Sequence, residues 1–250
     1  MNRKEDSRIY DFIWWSCARF SRDSLNPTRK IQEKVTAVCK LLIQEYGHVI
    51  VERALDPIGE LVFTILSQNT ADVNTKRAFG ALRSRYATWD DVLVAADDEL
   101  AGVIRSSGPF RVKAKRIKAA LSEIKRRTGR LDLSLLAEME TQDAMNWLTT
   151  LYGVGPKTAA IVLLFCFEKP VLPVDTHVWR VSKRLGLVPS NASRESTQNL
   201  LEDNVPEYCV YSMNHNLIRH GRTLCRAQKP HCRECFLAGH CDYYSNLQDR

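Results

Sequence analysis

Apolar residues recur along this chain at helical spacing almost wherever they recur at all. Ile31, Val35, Val38 and Leu42 fall at intervals of four, three and four, and Phe110, Ala114, Ile117, Leu121 and Ile124 repeat that spacing over four turns. No pair of alternating runs is joined by a hairpin signal, so the pattern predicts an all-α fold. The rhythm breaks at Asp56-Pro57, Ser106-Ser107-Gly108-Pro109 and Thr128-Gly129, from Tyr152 to Pro156, from Lys169 to Pro173, and at Pro189-Ser190. These breaks separate helices of ordinary length, and no solenoid repeat or low-complexity tract interrupts them.

Composition narrows the picture. With 250 residues of which 44% are hydrophobic, the chain can bury a large core and is not a disordered polymer. No apolar run approaches the roughly 20 residues of a membrane span. The run IVLLFCF is closed off by Glu168, Lys169 and Pro170. The amino terminus carries Glu5, Asp6 and Asp11 around IWW and no small-residue cleavage site, so it does not read as a secretory signal. A soluble protein of a reducing, intracellular compartment is the expectation.

The formal charge of +7 points to a polyanionic partner. Between Arg105 and Arg130 stand ten Lys or Arg (Lys113, Lys115, Arg116 and Lys118 among them) against Glu123 alone. A merely soluble face would mix signs, so this segment, with Lys113 and Lys115 at its centre, is expected to face phosphates.

Chemistry concentrates in two segments. From Asp143 to Phe167 the sequence reads as helix, turn LYGVGPKT, helix. Gly153 and Gly155 permit positive φ and close approach, and Pro156 suits the first helical position. The turn Gly153-Val154-Gly155 would then present backbone amides to a phosphate, aided by the helix dipole. Lys157 follows in the first turn, where the dipole disfavours an ammonium, and a neutral amine is a nucleophile able to form a Schiff base. The second segment is VLPVDTHVWRVSKRL, in which Asp175 reads as a helix N-cap or, if it faces the same pocket as Lys157, as a proton acceptor and counter-charge. His177 is expected to order this turn without a chemical role.

Of eight cysteines, Cys17, Cys39, Cys166 and Cys209 are scattered among apolar residues and read as small buried hydrophobes. Cys225, Cys232, Cys235 and Cys241 are crowded, with six, two and five residues between them. Zinc sites usually show two close pairs. This string has one, which leans toward a [4Fe-4S] cluster in a structural role. Arg226, Lys229, His231 and Arg233 lie in the loop these cysteines tie down, which could present charge to a phosphate backbone.

LYGVGPKTA, then LPVDTHV with Asp175 eighteen residues after Lys157, then the Cys-x6-Cys-x2-Cys-x5-Cys string together resemble the endonuclease III group of the helix-hairpin-helix Gly/Pro-Asp DNA glycosylase superfamily. The likeness runs from about residue 30 to 242. It implies two helical domains, 50–168 ending in the hairpin and 1–49 plus 169–250 carrying the cluster, with double-stranded DNA across the groove between them and a monomeric enzyme. The damaged nucleotide would be extruded, Lys157 would attack C1′, and a Schiff base would undergo β-elimination while Asp175 assists. This is bifunctional glycosylase and abasic-site lyase chemistry directed at oxidised pyrimidines. In ILSQNTADVNTKRAF, Gln68 matches a glutamine that enters the vacated space, although Asn69 follows it here and Asp72 comes one place late. Where relatives carry a leucine wedge after a glycine, this chain has Gly108-Pro109-Phe110: Pro109 occupies the wedge's place, and Phe110 is the candidate wedge beside it, though it also fits the apolar stripe of its helix.

Two rivals follow. A monofunctional mismatch glycosylase would lack the amine of Lys157, and its adenine-specific branch would place a glutamate in the stretch LVFTILS, which has none. Nine residues follow Cys241 in this sequence, so an added recognition domain is not expected. A non-enzymatic DNA-binding module would hold zinc in the four cysteines. Residues 1–29 lie outside the likeness, and Tyr10, Phe12, Trp14, Trp15 and Phe20 suggest a helix packed on the body, or else a partner contact.

Overall fold

The structure, a computed structural model, describes residues 27–49 and 55–248. Cys17 and the aromatic residues expected to form an amino-terminal helix lie outside them. The described residues form α-helices and short 3₁₀ turns with no strand. In chain order the helices are α1 (Pro27–Tyr46), α2 (Pro57–Ser67), α3 (Asp72–Arg85), α4 (Trp89–Val94), α5 (Asp97–Val103), α6 (Phe110–Thr128), α7 (Leu135–Glu138), α8 (Thr141–Thr149), α9 (Pro156–Phe167), α10 (Thr176–Leu185), α11 (Arg194–Glu202), α12 (Val210–Thr223) and α13 (Asp242–Gln248).

Local chemistry explains the boundaries. Asp56 accepts from the Gly59 amide at 2.9 Å and Pro57 opens α2. Gly129 and Gly186, at φ of 76° and 71°, close α6 and α10 in the left-handed conformation that ends a helix. Asp56, Pro57 and Gly129 stand at breaks foreseen in the sequence, whereas α10 ends at Gly186, three residues before the break expected at Pro189-Ser190.

The helices pack in two sets. In the first, α2 lies against α9, α3 and α6, while α5 covers α6 and α8 covers α9. Leu61, Ile65 and Leu66 of α2 and Ala159, Ala160, Val162 and Leu163 of α9 are sealed from solvent. Burying each large aliphatic side chain contributes about 1.5–3 kcal/mol. In the second set α12 is central, with α1 and α10 against it and α13 on α10. Cys39 and Cys209 are buried here and Cys166 in α9, as expected of small hydrophobes. The chain crosses between sets at 168–175, where Asn214 of α12 donates to the Pro173 carbonyl at 2.7 Å. Arg222 of α12 reaches Asp72 at the start of α3, 3.2 Å away. No helix among the described residues is long and apolar enough to cross a membrane.

Candidate active site

The α8–α9 hairpin turns at Gly153, whose φ is +84°. A Cβ there would lie 2.5–2.8 Å from the side-chain carbons of Arg116, so glycine is required by conformation and by space alike. Gly153→Ala is expected to cost about 1–3 kcal/mol through the strained φ and the displaced Arg116. A denaturant midpoint equal to that of wild type would contradict this. The first intrahelical bond of α9 runs from the Ala159 amide to the Gly155 carbonyl at 3.0 Å. The amides of Gly155, Lys157 and Thr158 precede it and make no backbone bond among the described residues. Val154 departs from expectation: its amide is bonded to the Leu151 carbonyl at 3.1 Å and its side chain is buried. Its bulk anchors the hairpin to the core, and the amides without a backbone bond are those of its neighbours.

Lys157 is exposed on the first turn of α9, and its ammonium makes no hydrogen bond or ion pair among the described residues. Asp175 caps α10, its Oδ1 accepting from the amides of His177 and Val178, each at 2.8 Å. Its Oδ2 accepts nothing among the described residues. No ion pair within 4 Å joins Lys157 to Asp175. Contacts nevertheless set the two helix starts around one rim. Gln68 Nε2 donates to the Gly153 carbonyl at 3.1 Å and to Thr158 Oγ1 at 3.4 Å. Four residues on, Asp72 pairs with Arg222, and adjacent Gly221 lies so close to His177 that a Cβ would meet that side chain at 2.9 Å. The α2–α3 turn therefore has the Lys157 end of α9 on one side and the Asp175 end of α10 on the other. His177 orders the turn as expected, its Nδ1 lying 3.1 Å from Arg180 Nη2.

Gln68 does not project freely. Besides those two bonds, its Oε1 accepts from Arg116 Nη1 at 2.7 Å. Asn69 beside it is exposed at φ +51°. Across the turn Pro109 stands exposed, whereas Phe110 is half-buried against the core with the Arg111 guanidinium 6.0 Å from its ring. The wedge expected of Phe110 is thus corrected: its ring completes the apolar stripe of α6, and the exposed tip is Pro109.

The basic segment needs the largest correction. Lys113 is fully buried, donating to the Leu66 carbonyl, Thr70 Oγ1 and the Ser107 carbonyl at 2.6, 2.7 and 2.5 Å. It cannot touch a phosphate. Burial, with the Arg116 guanidinium nearby, brings its ammonium down to about 8, still charged at neutral pH. Lys118 pairs with Asp97, Lys125 with Asp90, Arg111 with Asp98 and Arg130 with Asp132, while Arg126 and Arg127 share Glu123. That pair of guanidiniums holds the Glu123 carboxyl down to about 2. The signs are mixed in space although not in sequence. Lys115 and Arg105 are exposed and join none of the ion pairs seen among the described residues. The sequence reading missed Arg116, Thr70 and Thr158 as members of the site. A signal existed for Lys113 alone, which stands four residues before Ile117 and seven before Ala120 on the buried stripe of α6.

Cys225, Cys232, Cys235 and Cys241 line one cavity with His220 and Arg184. Burial and the neighbouring cysteines raise the Cys235 thiol to about 11, and burial raises Cys232 and Cys241 in the same sense. Arg184 Nη1 lies 3.4 Å from Cys225 Sγ and also donates to the Arg226 carbonyl at 2.6 Å. Arg180 donates to the carbonyls of Gly221 and Cys225 at 2.9 and 3.1 Å, so α10, capped by Asp175, is fastened to the cysteine loop. Lys229 is exposed in that loop at φ +47°. No three His, Cys, Asp or Glu among the described residues converge closely enough to hold a single metal ion.

The family model of the HhH-GPD superfamily of base excision DNA repair proteins matches residues 62–207, which span the α2–α3 turn, the hairpin and Asp175. The chain belongs to that superfamily. Among HhH-GPD relatives, endonuclease III of Thermotoga maritima is 37% identical over 210 residues, covering 81% of this chain and 93% of the relative. Endonuclease III of Sulfolobus acidocaldarius is 31% identical over 217 residues, covering 86% and 93%. A trapped covalent intermediate of endonuclease III with DNA superposes with a TM-score of 0.73 at 27% identity, covering 87% of this chain and 98% of that one. A thermostable thymine-DNA glycosylase, at 23% identity and a TM-score of 0.71, shares the fold. Membership makes this HhH-GPD chain an enzyme, a DNA glycosylase of the endonuclease III type, and sets aside the reading as a non-enzymatic binding module.

Proposed function

We propose that this glycosylase is bifunctional, excising oxidised pyrimidines from duplex DNA and nicking the strand at the resulting abasic site. The observation that carries the reading is Lys157, an exposed amine on the first turn of α9 with no partner among the described residues, and the Asp175 carboxylate across the α2–α3 turn. The Lys157 amine forms a bond to C1′ as the C1′–N bond breaks, and the base departs with the electron pair and a proton. Opening of the sugar ring leaves an imine between Lys157 and C1′. Loss of a C2′ proton then expels the 3′ phosphate, and water returns the free amine. Asp175 Oδ2 accepts the proton that the attacking amine must shed and offsets positive charge developing on the sugar. The first-turn amides of α9, with Gly153 and Gly155 beside them, hold a backbone phosphate. Asn69, Lys115 and Lys229 add DNA contacts, and Gln68 with Pro109 fills the space left by the extruded nucleotide. Duplex DNA spans the groove between the two helix sets, which we read as domains 50–168 and 1–49 plus 169–250. All these groups come from one chain, in keeping with a monomer.

Cys225, Cys232, Cys235 and Cys241 would hold a [4Fe-4S] cluster. Four thiols lining one cavity suit four irons that each take one thiolate. Bound there, the cluster would supply structural cross-linking of the 225–241 loop. Protein purified without chelator is expected to be brown with broad visible absorption, and Cys235→Ser to bleach it. A colourless protein holding one zinc would overturn this.

The function is tested on two duplexes, one with a single oxidised pyrimidine such as thymine glycol and one with a G·T mismatch. Base release with a nick on the first and little reaction on the second is expected. Release from the mismatch without nicking would establish the monofunctional rival.

A further inference from the structure

The largest fully buried side chain among the described residues is a lysine, Lys113. Its three N–H groups meet three acceptors, the carbonyls of Leu66 and Ser107 and the hydroxyl of Thr70, at 2.5–2.7 Å. Thr70 Oγ1 in turn donates to the Ser107 carbonyl at 2.6 Å. The ammonium thus ties the carboxyl end of α2 to the turn that follows it, and both to the turn before α6.

Each of these turns carries a left-handed residue, Asn69 at φ +51° and Gly108 at φ +80°. They touch one another: a Cβ on Gly108 would sit 3.2 Å from Thr70 Oγ1 and 3.7 Å from the Asn69 carbonyl. Asparagine in that conformation persists where its surroundings over-determine it. Here the surroundings are the Thr70 hydroxyl and the ammonium beneath it. Gln68 is the residue just before one left-handed position, and Pro109 the residue just after the other.

We infer that Lys113 is a positioning residue, its buried ammonium holding the Gln68-Asn69 turn and the Gly108-Pro109 turn side by side as a two-pronged probe that enters the duplex when a nucleotide is extruded. The inference rests on the proposed glycosylase function, since the prongs have a use only where a nucleotide leaves the stack. Lys113 is sealed from solvent and touches no reacting atom. Methionine matches its length but removes all three N–H donors, leaving the buried Leu66 carbonyl without this partner and the Ser107 carbonyl and Thr70 hydroxyl with each other but without the ammonium, which loosens both prongs together.

The test separates extrusion from chemistry in the full chain as purified. Extrusion is read from the fluorescence of 2-aminopurine placed opposite an uncleavable abasic analogue in a duplex. Chemistry is read by borohydride trapping on a single-stranded oligonucleotide with a natural abasic site, which requires no extrusion. For Lys113→Met we expect the unstacking signal and excision of a paired oxidised pyrimidine to fall roughly tenfold to a hundredfold, as misplaced groups do. Single-strand trapping stays within about threefold. Thr70→Val shifts the same readouts in the same direction by less, because two acceptors of Lys113 remain. Wild-type unstacking in Lys113→Met overturns the inference. So does a parallel loss of trapping and unstacking in both variants, which marks Lys113 as general support of the fold. A wild-type protein that unstacks the probe and traps nothing refutes the catalytic reading instead, while the comparison of unstacking still decides the role of Lys113.

Discussion

Lys157→Ala is expected to abolish the covalent complex that borohydride traps on abasic-site DNA and to slow strand nicking by about 10³-fold or more, as loss of a nucleophile does. The structure makes this a test of chemistry rather than of folding. The Lys157 side chain is exposed and has no partner among the described residues, so its removal opens no cavity and strands no buried charge. Alanine is also the better helix former at that position. Thermal unfolding of the variant should therefore match wild type closely. A trapped complex that survives in Lys157→Ala would place the nucleophile elsewhere and remove the basis of the lyase assignment.

Asp175→Asn is expected to fold normally and still lose about 10²–10⁴-fold in activity, the usual contribution of a general base. Asparagine is as good an N-cap as aspartate, so the bonds from the His177 and Val178 amides survive the substitution. What disappears is the charge and the proton acceptor on Oδ2. Asp175→Ala adds a cost of about 1 kcal/mol for the lost cap. The informative comparison is between the two variants: equal activity with different unfolding midpoints separates the chemical role from the structural one. Full activity in Asp175→Asn would reduce the residue to a cap.

Helix ends were legible because their signals are local. A proline at the first position, an aspartate before it, or a glycine at positive φ acts on neighbouring backbone and can be read from a few letters. The four cysteines were legible for the same reason, since short intervals bring them to one cavity whatever the rest of the chain does. Lys113 was misread because burial is decided by packing, and a lysine among ten cations looks like surface until α2 and the 105–109 turn close over it. The acids that neutralise α6 were invisible as partners. Asp90, Asp97 and Asp98 come from α4 and α5, brought alongside only when those helices pack. Phe110 was ambiguous in sequence, fitting a wedge and an apolar stripe alike, and packing resolves it in favour of the stripe.

The neutralised face of α6 bears on how such an enzyme patrols a genome. Counterion release scales with the cations that replace salt at the backbone, about 0.9 per phosphate contacted. With six of the ten cations of 105–130 already paired to carboxylates, the expected result is a hold on undamaged DNA that is lighter, and a salt dependence that is shallower, than a count of basic letters suggests. A light grip would favour sliding and hopping over arrest, and on the proposed function the extruded lesion would then convert a passing encounter into a long-lived one.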